Sequence, residues 1–267
     1  MRFFPQLESG SLAQYPVVLR HKARTIVNES IDNWRILFAD DRARQHEWDL
    51  EFRGLTGRET SRIADLFEQS EGSLYSFCFL DPAGNLLSYS EDMSHAAWAK
   101  GAALLLTGGV SDPWGTARAT RVVNGGQIVQ STEQTLDVPG SYTYCFSGYF
   151  RGSVAGRIRL GWKSGADGLW QESEIGPAWR RIQCTGAISG EGTPTTFGIE
   201  VPAGTSLDLA GLQVEGQREA SAYQKTAGLG GVYQKARFRD DSLVITCEGI
   251  DDYTVKVSIA APDGLES

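Results

Sequence analysis

Short runs in which apolar and polar residues alternate recur along most of this chain, and only one window shows helical spacing instead, so the pattern calls for a mainly β protein. Trp34, Ile36 and Phe38 alternate with polar neighbours, and so do Trp48, Leu50 and Phe52. These read as two half-buried strands joined through the charged turn Asp40-Asp41-Arg42. The helical window follows. Thr56 with Glu59 three residues on forms a capping box, Ile63, Leu66 and Phe67 recur at helical spacing, and Gly72 closes the segment. Alternation then resumes at Tyr75, Phe77 and Phe79, and stops at the breakers of Asp81-Pro82-Ala83-Gly84.

From Asn85 onward Ser, Thr and Gly become frequent, and short strands recur at the spacing of a sandwich. They are predicted around 117–123, 127–136, 142–150, 157–162, 179–188, 195–201 and 206–214. Turns are expected at Pro139-Gly140, Ser164-Gly165 and Gly190 to Thr193. After Gly228-Leu229-Gly230-Gly231, read as a hinge, Leu243, Ile245 and Cys247, then Tyr253, Val255, Val257 and Ile259, mark two strands across an acidic turn at Asp251-Asp252. So few strands cannot bury a core alone. The tail is therefore expected to return to the first sheet. That gives a discontinuous small β-sandwich domain with one α-helix, over 1–88 and 227–267, and an inserted β-sandwich over 89–226.

A net charge of −8 argues against non-specific phosphate binding, so nucleic acid is not the expected partner. No window approaches the ~18 consecutive apolar residues of a membrane helix, and Met1-Arg2-Phe3-Phe4-Pro5 lacks the core of a secretion signal. Folding in the cytoplasm without membrane insertion is expected. Cys78, Cys145, Cys184 and Cys247 are widely spaced in apolar runs and read as reduced, buried thiols.

The three histidines, His21, His46 and His95, have no motif spacing to a nucleophile or to one another, and the glycine cluster lacks the Lys-Ser/Thr of a phosphate loop. Neither an enzyme nor a cofactor or metal is expected. What remains is aromatic and basic surface on the sandwich. Trp162 and Trp170 flank the 164–168 loop with Arg157, Arg159 and Lys163 nearby, and Trp179 follows. Flat rings suit the C–H face of a sugar and charged groups its hydroxyls. Trp170, Trp162, Arg159, Arg157 and Trp179 are therefore candidate glycan ligands, although alternation with Ile158 and Leu160 also suits Trp162 to the core.

Asn85-Leu86-Leu87 through Trp98, Asp112-Pro-Trp-Gly-Thr, the aromatic run Tyr142 to Arg151, Trp179-Arg180-Arg181, and Gln213-Val-Glu-Gly with Ser221-Ala-Tyr223 together resemble jelly-roll modules of tailed-phage and prophage virion proteins. Those modules are similar to carbohydrate-binding modules. The flanking part, with Phe4-Pro5-Gln6-Leu7 and Gly72 to Pro82 in a strand, strand, helix, strand order, resembles phage tail-tip proteins of the distal-tail or minor-tail kind, but departs from their commonest form in carrying the sandwich inside the first domain. The resemblance implies a non-enzymatic tail-tip or baseplate subunit. It would form a homo-oligomeric ring with other phage tail proteins, be made in the host bacterial cytoplasm and end in the virion, with its insert touching host-surface glycan. The rivals are a free carbohydrate-binding protein and a glycan-degrading enzyme.

Overall fold

The computed structural model describes residues 1–190 and 192–263, apart from the side chains of Asp41 and Arg42. Two compact units divide the chain: Met1–Glu8, Leu12–Leu80 and Tyr233 onward make the first, and Ser9–Ser11 with Asp81–Val232 the second. The fold is mainly β with one helix. In the first unit β1 (Val18–Glu29) and β2 (Arg35–Leu55) form a hairpin, followed by α1 (Gly57–Gln69) and β3 (Phe77–Leu80). The second holds β4 (Ala99–Lys100), β5 (Leu104–Val110), β6 (Ala119–Asn124), β7 (Gln130–Leu136), β8 (Tyr144–Gly152), β9 (Gly156–Ser164), β10 (Asp167–Ile175), β11 (Arg180–Gly186), β12 (Thr195–Val201) and β13 (Ser206–Glu215). The chain then returns as β14 (Val232–Phe238), β15 (Val244–Gly249) and β16 (Asp252–Pro262).

The returning strands enter the interior of the first sheet, whose order is β1-β2-β16-β14-β3 with β15 also paired to β16. Ile259, Val257 and Val255 on β16 lie opposite Trp48, Leu50 and Phe52 on β2, so both alternating runs present their apolar side to one face. There they bury with Phe4, Phe77, Phe79 and Phe238 against Ile63 and Leu66 of α1. The helix starts on its capping box: the Glu59 amide donates to Thr56 Oγ1 at 3.2 Å and the Thr56 amide to Glu59 Oε2 at 3.1 Å.

Both expected strands lie on the single strand β2, so alternation misses β1 and misplaces the reversal. β2 runs straight through Asp40-Asp41-Arg42, and the hairpin turns at Ser30–Trp34. There Asn33 adopts φ 64°, and the Ser30 amide donates to Trp34 O at 2.9 Å. A charged cluster breaks a strand only if its backbone partners are lost. Here the register shifts between Lys22 and Arg24, but the ladder resumes on both sides, with Lys22 opposite Gln45 and Arg24 opposite Asp40. β1 is exposed along its whole length. In the distal hairpin Ile26, Ile36 and Phe38 share one face and Val27 and Leu37 the other, all exposed, with Trp34 at the turn 76% exposed. The strand with Trp34, Ile36 and Phe38, expected to be half-buried, is therefore bare on both faces. Cys247 is likewise exposed rather than buried, because β15 pairs only with β16 and is exposed throughout, while Cys78, Cys145 and Cys184 are buried.

The second unit is a sandwich of two five-stranded antiparallel sheets, β10-β9-β12-β7-β4 and β11-β8-β13-β6-β5. Ile158, Leu160, Trp162, Phe197 and Ile199 of one bury against Tyr144, Phe146, Phe150, Leu207 and Leu209 of the other. Phe197 meets Tyr144 and Phe146 edge-on, with centroids 5.2 and 5.9 Å apart. β10, an edge strand, escapes sequence analysis because its inward positions include Gln171 and Ser173 as well as Leu169 and Ile175.

Gly228 to Gly231 does not act as a hinge. This stretch runs beside 81–90 in a ladder: Asp81 N donates to Gly231 O at 2.7 Å, Gly231 N to Asn85 O at 2.9 Å and Tyr89 N to Gly228 O at 2.9 Å. A Cβ on Gly230 would stand 2.1 Å from Leu86 O, so the close approach requires glycine. These bonds carry the second unit out to Asp81 and Val232, beyond the expected 89–226. Of the turn expected at Gly190 to Thr193, Glu191 lies outside the described residues, as does the chain after Asp263. No described helix is long and apolar enough to cross a membrane.

Replacing Thr56 with Ala removes the acceptor for the Glu59 amide, so Thr56→Ala is expected to lower the stability of the first unit by about 1 kcal/mol. Urea denaturation followed by far-ultraviolet circular dichroism measures this, and an unshifted midpoint would contradict it.

Candidate ligand-binding face of the sandwich

The structure separates the five residues proposed from sequence. Trp162 is 0% exposed and packs on Phe197 and Tyr144 in the core, presenting no ring face to solvent. Trp170, Arg157 and Arg159 project from the outer face of the β10-β9-β12-β7-β4 sheet. Arg159 lies 5.4 Å over the Trp170 ring and donates to Glu200 at 2.7 Å, while Arg157 donates to Glu172 at 3.0 Å. Each guanidinium there is already paired with a carboxylate. Trp179 stands at the opposite sheet.

On that opposite sheet the outward positions build a different surface. Arg151 on β8 pairs with Asp208 on β13, which pairs with Arg121 on β6, and these three form one row across the strands. Asp208 is 5% exposed and receives Arg121 Nε at 2.7 Å, Arg121 Nη2 at 3.1 Å and Arg151 Nε at 2.9 Å. Burial alone would push its carboxyl up, but the two guanidiniums outweigh that and hold it below the usual carboxylate range. Arg151 also lies 4.7 Å over the Trp179 ring. The next row sets Arg181 on β11 opposite Tyr149 on β8, with the guanidinium 5.5 Å from that ring.

Beside Tyr149, β13 carries a bulge between Ala210 and Gln213, where Gly211 takes φ +60°. Trp114, Tyr149 and Tyr223 converge on Gly211, and a Cβ there would meet Trp114 Cη2 at 2.7 Å, so the position is closed to larger residues by both backbone and space. Trp114 stacks on Tyr223 with centroids 5.3 Å apart, meets Tyr149 edge-on at 5.1 Å, and keeps 41% of its surface exposed. Its loop is tied down by Asp112, whose carboxylate accepts from the amides of Trp114 and Thr116, each at 2.9 Å, from Arg118 N at 3.2 Å and from the Thr116 hydroxyl. Burial would raise this carboxyl, but the Thr116 hydroxyl and the three amides lower it to about 2.

Sequence reasoning named Asp112-Pro-Trp-Gly-Thr, Tyr142 to Arg151 and Ser221-Ala-Tyr223 as patterns but did not bring them together. Trp114, Tyr149 and Tyr223 are far apart along the chain and meet only over the bulge. The alternation of β8, with Tyr144, Phe146 and Phe150 inward, is the one signal that points Tyr149 and Arg151 outward. Among the described residues no group of three His, Cys, Asp or Glu side chains is placed to hold a metal ion.

No protein-family model and no curated protein matches the chain. Solved structures similar to half of it do exist. The CBM22-1 xylan-binding domain of Paenibacillus barcinonensis Xyn10C is 12% identical with a TM-score of 0.41, over 51% of this chain and 96% of that one. The C-terminal family 22 carbohydrate-binding module of Clostridium thermocellum Xyn10B is 14% identical with a TM-score of 0.42, over 51% and 95%. Bacteriophage CBA120 tailspike protein 4 is 11% identical with a TM-score of 0.40, over 51% of this chain and 22% of the tailspike's enzymatically active domain.

Because the folded pKa of Asp112 lies below its ordinary value of 3.8, the stability it contributes is present above about pH 4 and lost as pH falls towards 2. Asp112→Asn is expected to destabilise the sandwich by about 2 kcal/mol at pH 6. The gap from the unsubstituted protein should close between pH 4 and 2. Thermal melts of both proteins across that range check this; a gap independent of pH would mean that the ionised carboxylate is not what holds the loop.

Proposed function

We propose that the sandwich unit binds glycan on the outer face of its β11-β8-β13-β6-β5 sheet, as a binding and not a catalytic module. The observation that carries this is the grouping of Trp114, Tyr149 and Trp179 with Arg151 and Arg181 on one solvent-facing surface. Rings stack on sugar C–H faces, and guanidiniums fix the orientation of oxygens. Asp208, the carboxylate in that row, is bonded to two arginines and held ionised, an environment unsuited to a general acid. Trp170 on the other sheet is the natural comparison. On a glycan array Trp114→Ala is expected to lose about fivefold or more in affinity, since a stacked ring contributes on the order of 1 kcal/mol or more, whereas Trp170→Ala keeps binding. Loss with Trp170→Ala alone would move the site to the opposite face.

A second observation favours the assembly reading, a structural subunit of a phage tail tip or baseplate. The distal hairpin exposes Ile26, Val27, Trp34, Ile36, Leu37 and Phe38 on both faces, and a bare two-stranded ribbon is marginal in water. Among the described residues both of its edges lack a strand partner beyond the β1–β2 pair, and pairing with further copies or with other tail proteins would cover edges and faces together. This reading makes the protein an oligomer in solution, and Trp34→Ser combined with Phe38→Ser should lower its sedimentation coefficient towards that of a monomer. A monodisperse monomer before substitution would favour a free carbohydrate-binding protein.

A further inference from the structure

The Arg121–Asp208–Arg151 row borders a recess of about 210 Å³ lined also by Ser153 and Ser206. Two guanidiniums share one carboxylate there, leaving one positive charge in excess in a protein whose net charge is −8. Asp208 spends Nε and Nη2 of Arg121 and Nε of Arg151, and Arg151 Nη2 reaches Ser111 O at 3.3 Å. The Nη1 of each arginine has no hydrogen-bond acceptor among the described residues. The arginines are thus held in place by a buried counter-charge with donors to spare, and their side chains stay 50% and 27% exposed. A guanidinium pair fixed in this way suits a planar anion, since Arg binds carboxylates through directed, charge-assisted hydrogen bonds. Trp179, packed on Arg151 at 4.7 Å, sets an aromatic ring beside the charge.

We propose that this recess is a subsite for an acidic sugar residue, its carboxylate received by Arg121 and Arg151, its hydroxyls by Ser153 and Ser206, and its ring lying towards Trp179. The proposal rests on the glycan-binding reading and adds the class of sugar. In this arrangement Asp208 is a positioning residue: it orients both arginines and does not touch the ligand. The opposite sheet lacks this excess, because Arg157, Arg159 and Lys163 are each matched to a glutamate. Binding should also weaken as salt rises, since the attraction operates at a partly exposed site.

Calorimetric titration of the full chain with tetragalacturonic acid, its fully methyl-esterified form and a sulfated heparin tetrasaccharide tests this. The free acid is expected to bind at least about tenfold more tightly than the ester, the difference of one lost charge-assisted contact. Arg121→Gln should abolish that preference by lowering the affinity for the acid to that for the ester, with some loss of melting temperature because the buried Asp208 loses one of its two counter-charges. Asp208→Asn replaces one of the two acceptor oxygens that hold the arginines with a donor, so the preference for the acid should shrink in this variant, and an undiminished preference removes Asp208 as the positioning residue. Equal affinity for acid and ester, or a preference that survives Arg121→Gln, overturns the subsite and leaves glycan binding standing. Tighter binding of the heparin tetrasaccharide than of the galacturonate overturns the carboxylate in favour of a sulfate. Binding to none of the three, together with an empty glycan array, overturns the glycan reading and this inference with it.

Discussion

The second unit depends on how its two ends are closed, and Asn85 does most of that closing. Its side chain, 2% exposed, donates to Leu212 O at 2.9 Å and Gln224 O at 3.1 Å, and accepts from the amides of Leu87 and Val214 at 3.1 Å each. One buried amide thus ties the incoming strand, the final strand of the sandwich and the outgoing segment. An inserted unit must bring the chain back close to where it left, and the 81–90 and 226–231 ladder does so with backbone bonds. Gly230 permits the approach. A side chain of any size at position 85 without both donors and acceptors would leave buried backbone groups unpaired.

The same economy shapes the candidate face. Sheets twist, and the bulge at Gly211 adds a local bend to β13 just where Trp114, Tyr149 and Tyr223 converge. One strand irregularity therefore does what several side-chain substitutions could not, by opening room for three rings above a backbone without Cβ. Asp112 then holds the loop that brings Trp114 in from outside the sheet. Beside this aromatic group, Asp208 orders two arginines that would otherwise repel each other. Aromatic surface and fixed charge sit in adjacent rows because residues two apart on a strand face the same way.

The first unit is organised by different constraints. Its core forms where β2 and β16 place their alternating apolar residues on one face beneath α1. Beyond that core β2 continues as half of a ribbon, and among the described residues no third strand and no covering layer meets the apolar residues there. Period-two alternation marks a strand with one preferred face, but it cannot say whether a partner exists to cover that face.

What the sequence by itself determined was local: the class of structure, the capping box at Thr56 and Glu59, and the alternation that marks most strands of the sandwich. Each rests on spacing over a few residues, which backbone geometry translates directly into a face or a cap. The turn at Asp40-Asp41-Arg42 failed because pairing with β1 overrode a local charge cluster. The hinge at Gly228 to Gly231 failed because those glycines answer a close approach from residues far away in sequence. Tertiary structure alone decided which aromatics share a surface. Trp170 and Trp179, only nine residues apart, stand on opposite sheets, while Trp114 and Tyr223 stack across more than a hundred. Strand order and register, set by the whole core, bring such residues together, and no short window of sequence contains that information.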